Sequence, residues 1–197
     1  HTDEVQRQVQ GLVAALRRHG RQTFIFDPPQ HAALRQRLRE NVSVDFLDTP
    51  LEAAVAQLSD ISKADIRLDV TALSESRIRE REPVTLKLAD RTLKTVLQAM
   101  LMDLSLTWML QDGVLWISTP ERAEEFLKTA VYDVRDLCRD QAESDALRDA
   151  ILSQTDNDVW ADVGGPGDLH FARPGTLVVL NDEDVLTDVL ELLETYR

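Results

Sequence analysis

With 197 residues, 43% apolar and 29% charged, the chain has room for one large domain or two small ones and the composition of an ordinary globular protein. No apolar run approaches the roughly 18–20 residues that span a bilayer, and a single cysteine, Cys138, excludes an internal disulfide. The net charge of −13 lies mostly toward the far end: residues 1–40 carry seven arginines against four acids, residues 41–118 eight bases against twelve acids, and residues 119–197 seven against nineteen. An acidic second half repels phosphate backbones, which argues against nucleic-acid binding. The simple reading of these acids is a solvated surface. The sharper one is that the basic N-terminal part docks on an acidic surface, its own or a partner's. The chain opens on His1 rather than on methionine, which points to processing or to a longer parent sequence. The lack of a targeting segment is therefore no sign of a cytoplasmic protein.

The first segment, residues 1–40, reads as helical. Thr2 or Asp3 caps a helix with Val5, Val9, Leu12, Val13 and Leu16 at helical spacing, and Gly20 follows its basic last turn. The stretch QTFIF at 22–26 is a short extended candidate. Asp27-Pro28-Pro29 then opens a second helix through Leu34 and Leu38, with Arg35, Arg37 and Arg39 as its basic face.

The second segment, 41–118, contains an internal repeat. Residues 42–69, VSVDFLDTPLEAAVAQLSDISKADIRLD, are echoed without a gap 42 positions later by residues 84–111, VTLKLADRTLKTVLQAMLMDLSLTWMLQ. Val42 falls on Val84, Asp48 on Asp90, Leu51 on Leu93 and Leu68 on Leu110. Each copy is an alternating run, an Asp, a helical apolar pattern and a second short run, which is a β-α-β unit written twice. In the first copy Asp48 or Thr49 is the expected N-cap, with Leu51, Val55, Leu58 and Ile61 as the buried stripe. Asp90 stands in the same place before the second helix, which spans Thr92 to about Asp103. VTALSES forms a turn or short helix, and RIREREP an exposed charged loop. After LTWML, Asp112-Gly113 supplies a tight hairpin turn and VLWIS returns. Two helices on one face of a small mixed sheet make an α+β sandwich.

The third segment, 119–197, begins after Thr119-Pro120 and reads as a second small α+β domain of order β-α-β-β-β-α. A helix at 121–128 leads into the strand TAVYDVRDL. Acids and arginines punctuate 139–146, and a helix follows through Leu147, Ile151 and Leu152. Val159-Trp160 is extended, GGPG at 164–167 forms a loop, and a hairpin has arms near 168–172 and 176–180. Asn181 or Asp182 caps a last helix with Val185, Val189, Leu192 and Leu193.

No catalytic, cofactor or metal constellation emerges. His1, His19, His31 and His170 share no zinc spacing with one another or with Cys138, which reads as a half-buried small apolar residue. GGPG is followed by no lysine and leads into a strand, so it fails as a phosphate loop; a tight connection over Trp160 is the simpler reading. Asp156-Asn157-Asp158 with Asp162 lacks the alternation and closing Glu of a calcium loop. Carboxylate pairs arise by chance in so acidic a chain, and no Ser or Cys sits in a nucleophile elbow. Trp108 and Trp116 flank the Asp112-Gly113 turn at equal distance, which places them near each other across the hairpin. Core packing is the simple reading of the pair. An exposed aromatic patch is the alternative, and with Arg35 and Arg39 it makes a candidate partner surface.

The pattern of a strand, the helix start Asp48-Thr49-Pro50-Leu51 and the closing Asp112-Gly113-Val114 hairpin resembles the secretin and TonB short N-terminal (STN) domain over about 77 residues. The continuation VYDVRDL, Val159-Trp160, GGPG and TLVVLNDEDVLTDVLELLETYR resembles a second module that follows STN-like domains in planctomycete proteins, and in outline the later N-terminal domains of secretins. The resemblance implies a non-catalytic protein–protein interaction or assembly module, periplasmic or otherwise associated with the bacterial cell envelope. It implies a protein partner or self-association, with no cofactor and no catalytic residues to carry over. The alternatives are a periplasmic signalling domain that contacts a transmembrane regulator and, from a different class, a carboxylate-dependent hydrolase. A deep pocket lined by two carboxylates of raised pKa would favour the last.

Overall fold

The computed structural model describes residues 21–25, 27–155, 157–173 and 175–197. The helix expected around residues 5–16 and the calcium-loop residue Asp156 lie outside the described residues. In chain order the elements begin with β1 (Gln22–Phe24), α1 (Pro29–Leu38), β2 (Asn41–Pro50), α2 (Leu51–Ser62), β3 (Ile66–Leu68) and α3 (Val70–Glu75). They continue with β4 (Pro83–Thr92), α4 (Leu93–Met102), β5 (Thr107–Gln111), β6 (Val114–Ser118) and α5 (Pro120–Glu124). The last are β7 (Lys128–Asp133), α6 (Gln141–Gln154), β8 (Asp168–Arg173), β9 (Thr176–Asn181) and α7 (Glu183–Thr195). The protein is α+β. Two compact units emerge, Pro28–Phe126 and a second that joins Leu127–Arg197 to the described residues between Arg21 and Asp27. The sequence places its divisions after residues 40 and 118 instead. In the structure α1 packs against β6 and α4 of the first unit, while β1 pairs with β7 of the second.

In the first unit the repeat becomes a symmetry. The strands β2 and β4 pair antiparallel, from Asn41 opposite Thr92 to Pro50 opposite Pro83. Moving each partner by the repeat length of 42 turns one pair into another. Asn41–Thr92 becomes Pro83–Pro50, Val44–Leu88 becomes Leu86–Phe46, and Asp45–Lys87 becomes itself. An approximate two-fold axis therefore passes by the Asp45–Lys87 ion pair. Each strand bulges once, Leu47 and Asp48 facing Thr85 alone and Ala89 and Asp90 facing Ser43 alone. The bulged acids have positive φ, 50° at Asp48 and 53° at Asp90. Their N–H groups donate to Thr85 Oγ1 and Ser43 Oγ, each at 3.0 Å.

That arrangement corrects the reading of both acids as helix caps. The N-cap of α2 is Pro50, which offers no side-chain acceptor, and that of α4 is Thr92. In α2 the orphan N–H groups of Leu51 and Glu52 donate instead to the carbonyls of Glu82 and Glu80, both at 2.9 Å. Asp48 and Asp90 serve the bulge because Asp tolerates the left-handed region better than most residues.

The single mixed sheet expected for this unit is two sheets: the β2–β4 pair and a three-stranded sheet in the order β3-β6-β5, β3 parallel and β5 antiparallel to β6. One apolar core takes Val42, Val44 and Phe46 from the first sheet and Trp108, Leu110, Leu115 and Ile117 from the second. From α2 and α4 it takes Leu51, Leu58, Leu93 and Leu97. Ile61 is 49% exposed rather than part of the stripe. Its place on the wheel is taken by Ala54 and Ser62, whose hydroxyl donates to the Leu58 carbonyl at 2.6 Å. Burying that hydroxyl is inexpensive because the carbonyl one turn back accepts its proton.

The second unit is an antiparallel sheet in the order β1-β7-β9-β8, with Leu147 and Ile151 of α6 and Val185, Leu186, Val189 and Leu193 of α7 in its core. The strand expected at Val159-Trp160 is absent; two short 3-10 turns, Asn157–Val159 and Ala161–Val163, flank a single bridge between Trp160 and Gly167. A Cβ on Gly165 would stand 2.4 Å from the Asp158 carbonyl oxygen, so only glycine lets the loop close over Trp160. Trp160 is buried and donates from Nε1 to Thr155 Oγ1 at 2.9 Å. The helix α6 starts earlier than expected because Asp140 caps it, accepting from Glu143 N at 2.9 Å.

Candidate functional site

Among the described residues no group of His, Cys, Asp and Glu is placed to hold a metal ion, and no helix is long and apolar enough to cross a membrane. Cys138 is buried with its thiol against the Val134 carbonyl, and His31 is buried on α1. The His31 Nε2 accepts the Gly113 N–H at 3.0 Å, so the imidazole anchors the Asp112-Gly113 turn. Gly113 has φ +80°, and a Cβ there would lie 3.1 Å from that of Gln30.

The two tryptophans of the candidate partner surface take opposite faces of the β5–β6 hairpin. Trp108 lies opposite Ile117 and Trp116 opposite Met109, because the hairpin is centred between Asp112 and Gly113 rather than on Asp112. A one-residue offset turns two side chains to opposite faces of a sheet. Trp108 is accordingly inside the core, 5% exposed, and Trp116 is half-buried. On α1, Arg35 is half-buried and Arg39 exposed.

The chemistry that remains accessible gathers in two places. In the second unit an open depression of about 390 Å³ is lined by Arg21, Asp133, Arg135, Asp136 and Arg197. Its arginines are already committed: Arg135 Nε to Asp133 at 2.8 Å, Arg197 Nε to Asp136 at 2.7 Å, and Arg21 to Glu194. The hydrogen bond from Arg197 holds the Asp136 carboxyl below the usual range, and that from Arg21 does the same for Glu194. Burial pushes the Asp182 carboxyl up, but Asp182 caps α7 by accepting from Val185 N at 2.8 Å and lines neither depression. The buried Glu183 carboxylate receives Lys128 Nζ at 2.8 Å, with Asp27 at 4.0 Å from the same ammonium. This cluster ties the entry of β7 to the start of α7.

The other place is a groove of about 670 Å³ in the first unit, between α3 and the connection to β4. Asp69 sets its wall. The Asp69 carboxylate caps α3 by accepting from Ala72 N at 3.2 Å and takes the Ser118 hydroxyl at 3.0 Å. Leu73 anchors the helix in the core. The helix then ends in a Schellman turn, in which Ile78 N donates to the Leu73 carbonyl at 2.9 Å and Arg77 N to that of Ser74 at 3.1 Å. Ile78 packs back on the core, as the motif requires. Val70, half exposed, and Ile78 give the groove an apolar lining, while Arg77, Arg79 and Arg81 outweigh the acids Glu52 and Glu80 and leave it net positive. Arg81 lies 3.7 Å from Glu52, whereas Arg77 and Arg79 are exposed and, among the described residues, paired with no acid. Sequence reading reached this loop as exposed and charged, but the groove forms only when α3 is pinned by Asp69 to β6.

No protein-family model matches the chain, and no curated protein matches it. Several solved structures resemble it. One, a protein assigned as an anti-sigma factor from Parabacteroides distasonis, is 15% identical over 47% of this chain and 38% of its own, with a TM-score of 0.34. The N-terminal domain of the secretin XcpQ from Pseudomonas aeruginosa is 15% identical over 78% of this chain and 64% of its own, TM-score 0.31. The type IV competence pilus secretin PilQ from V. cholerae is 14% identical over 78% of this chain and 37% of its own, TM-score 0.31. The chain thus spans less than two thirds of the length of each. Likenesses this distant carry no argument about function.

Proposed function

We propose that this chain is a non-catalytic protein–protein interaction or assembly module of the bacterial cell envelope. The observation that carries the reading is how the first unit divides its chemistry. Its duplicated sandwich has an apolar interior, and its groove is open, with Arg77, Arg79 and Arg81 outnumbering Glu52 and Glu80 in the lining. Such a surface suits the recognition of shape and charge on another protein. The resemblance of Asp48-Thr49-Pro50-Leu51 and the Asp112-Gly113 hairpin to STN domains supports the same class and a periplasmic setting.

The reading is tested by sedimentation velocity on the purified chain across a range of concentrations, together with capture of envelope proteins by the immobilised chain. Concentration-dependent association, or retention of a defined envelope protein that excess soluble chain competes away, is expected. A strict monomer that retains nothing specific overturns the reading.

A further inference from the structure

We infer that the arginine groove docks the exposed acidic face of α6 from a second copy of this chain, in a head-to-tail contact. This rests on the interaction-module reading above and names the partner and both surfaces.

Three observations converge on it. First, the groove lies where the internal symmetry of the first unit breaks. After the second copy the chain makes a two-residue hairpin turn, whereas after the first it makes α3 and the loop that carries Arg77, Arg79 and Arg81. Second, Arg77 is strained. It occupies the position after the cap of a Schellman turn at φ +60°, where glycine is the unstrained choice. A long cationic side chain held there at a conformational cost, aimed at solvent and paired with no acid, is explained by something it meets. Third, the chain itself offers the complement. Residues 127–197 carry six bases against sixteen acids. On α6, Ala142, Asp145, Ala146 and Asp149 are all exposed, at the spacing that lines one face of a helix. Among the described residues Asp149 makes no ion pair, and Asp145 accepts the Gln141 side-chain amide at 2.8 Å and no cation. Two carboxylates flanked by two methyl groups match Arg77 and Arg79 with Val70 and Ile78 as the apolar part, in a groove whose two acids, Glu52 and Glu80, leave it net positive; Glu52 lies against Arg81.

The two surfaces are different patches of the same chain, so each copy can offer its groove to one α6 and its own α6 to another groove. Charge pairing across the contact also makes association fall as salt rises.

Sedimentation of the purified chain at low and high salt, with reversed variants, tests the contact. The groove variant Arg77→Glu/Arg79→Glu and the helix variant Asp145→Arg/Asp149→Arg are each expected to lose self-association by about tenfold or more, since like charges then face one another. Mixed in equal amounts, they recover association, because the acidic helix of the groove variant meets the intact groove of the helix variant, and the basic helix of the latter meets the reversed groove of the former. All four reversals in one chain restore assembly. Arg91→Glu, an exposed arginine outside the groove, is the control and leaves association unchanged. Arg77→Gly separates folding from binding: relief of the strained position raises the thermal midpoint while association weakens. Association indifferent to both pairs of reversals overturns the contact while leaving the interaction-module reading in place. Two lone variants that fail to rescue each other, while both remain folded by circular dichroism, also overturn it.

Discussion

The two copies of the β-α-β unit, Asn41–Leu68 and Pro83–Gln111, are alike at their starts and differ at their ends. Both put an aspartate at positive φ in a bulge, and both donate that aspartate's N–H to a hydroxyl on the opposite strand. In both, the first helical N–H is received by a carbonyl just outside the other copy's strand, Glu82 for Leu51 and Glu40 for Leu93, each at 2.9 Å. Lys63 and Ser105, again one repeat apart, both turn left-handed after the helix, at φ 57° and 53°. The copies then part. The first runs into a three-residue strand, α3 and the arginine loop; the second runs into a five-residue strand and the hairpin held by His31. The positions that bind the copies to each other are duplicated, and those that face outward are not. A symmetric scaffold therefore leaves one asymmetric edge on which a specific surface can be built.

Replacing Leu51 or Leu93 by alanine is the severest way to break the comparison. Both are fully buried at matching sites, so each substitution is expected to cost about 2–5 kcal/mol, and nearly the same amount, in urea unfolding of the first unit. A large inequality between them would show that the two-fold is geometric and not energetic. Next come Asp48→Val and Asp90→Val, which place a β-branched residue at positive φ. Each is expected to lose about 1–2 kcal/mol, seen as a lower urea midpoint, whereas valine at exposed Arg91, which has no positive φ, has no such penalty.

Thr92→Ala sharpens the difference rather than the likeness. Thr92 caps α4 through Thr95 N at 3.2 Å, and the matching Pro50 caps nothing with its side chain. About 1 kcal/mol is expected from losing that cap, read from the thermal midpoint. The smallest effect belongs to the axis itself: Lys87→Ala removes an ion pair whose partners are 78% and 64% exposed, and a change under about 0.5 kcal/mol is expected at moderate salt. A larger loss at Lys87 would mean that charge, rather than the buried leucines, holds the copies together.

Local chemistry made much of this legible in the chain. The periodicity of VSVDF and of Leu51, Val55 and Leu58 marks a strand and a helix, and Asp112-Gly113 marks a hairpin, because each signal concerns neighbours within a few residues. The roles of Asp48 and Asp90 were not legible. An aspartate two residues before a helix suits a cap or a bulge equally, and only the strand lying opposite decides between them. Trp108 and Trp116 show the same limit, since a hairpin centre displaced by half a residue reverses which face each takes. The arginine loop was readable as exposed and charged, yet its groove depends on Asp69 meeting Ser118, residues 49 positions apart.

By itself, the sequence determined that the first unit is one β-α-β motif used twice, that the second half is strongly acidic, and that no spacing suits a metal or a phosphate. These are properties of composition and of residues near one another in the chain. The tertiary structure decided that the two copies face each other across a two-fold axis, that residues 22–24 complete the sheet of the last unit, and that the exposed arginines line a groove. Those outcomes depend on which distant strands pair and in which register, and hydrogen bonding between backbones leaves little mark on the residues that carry it.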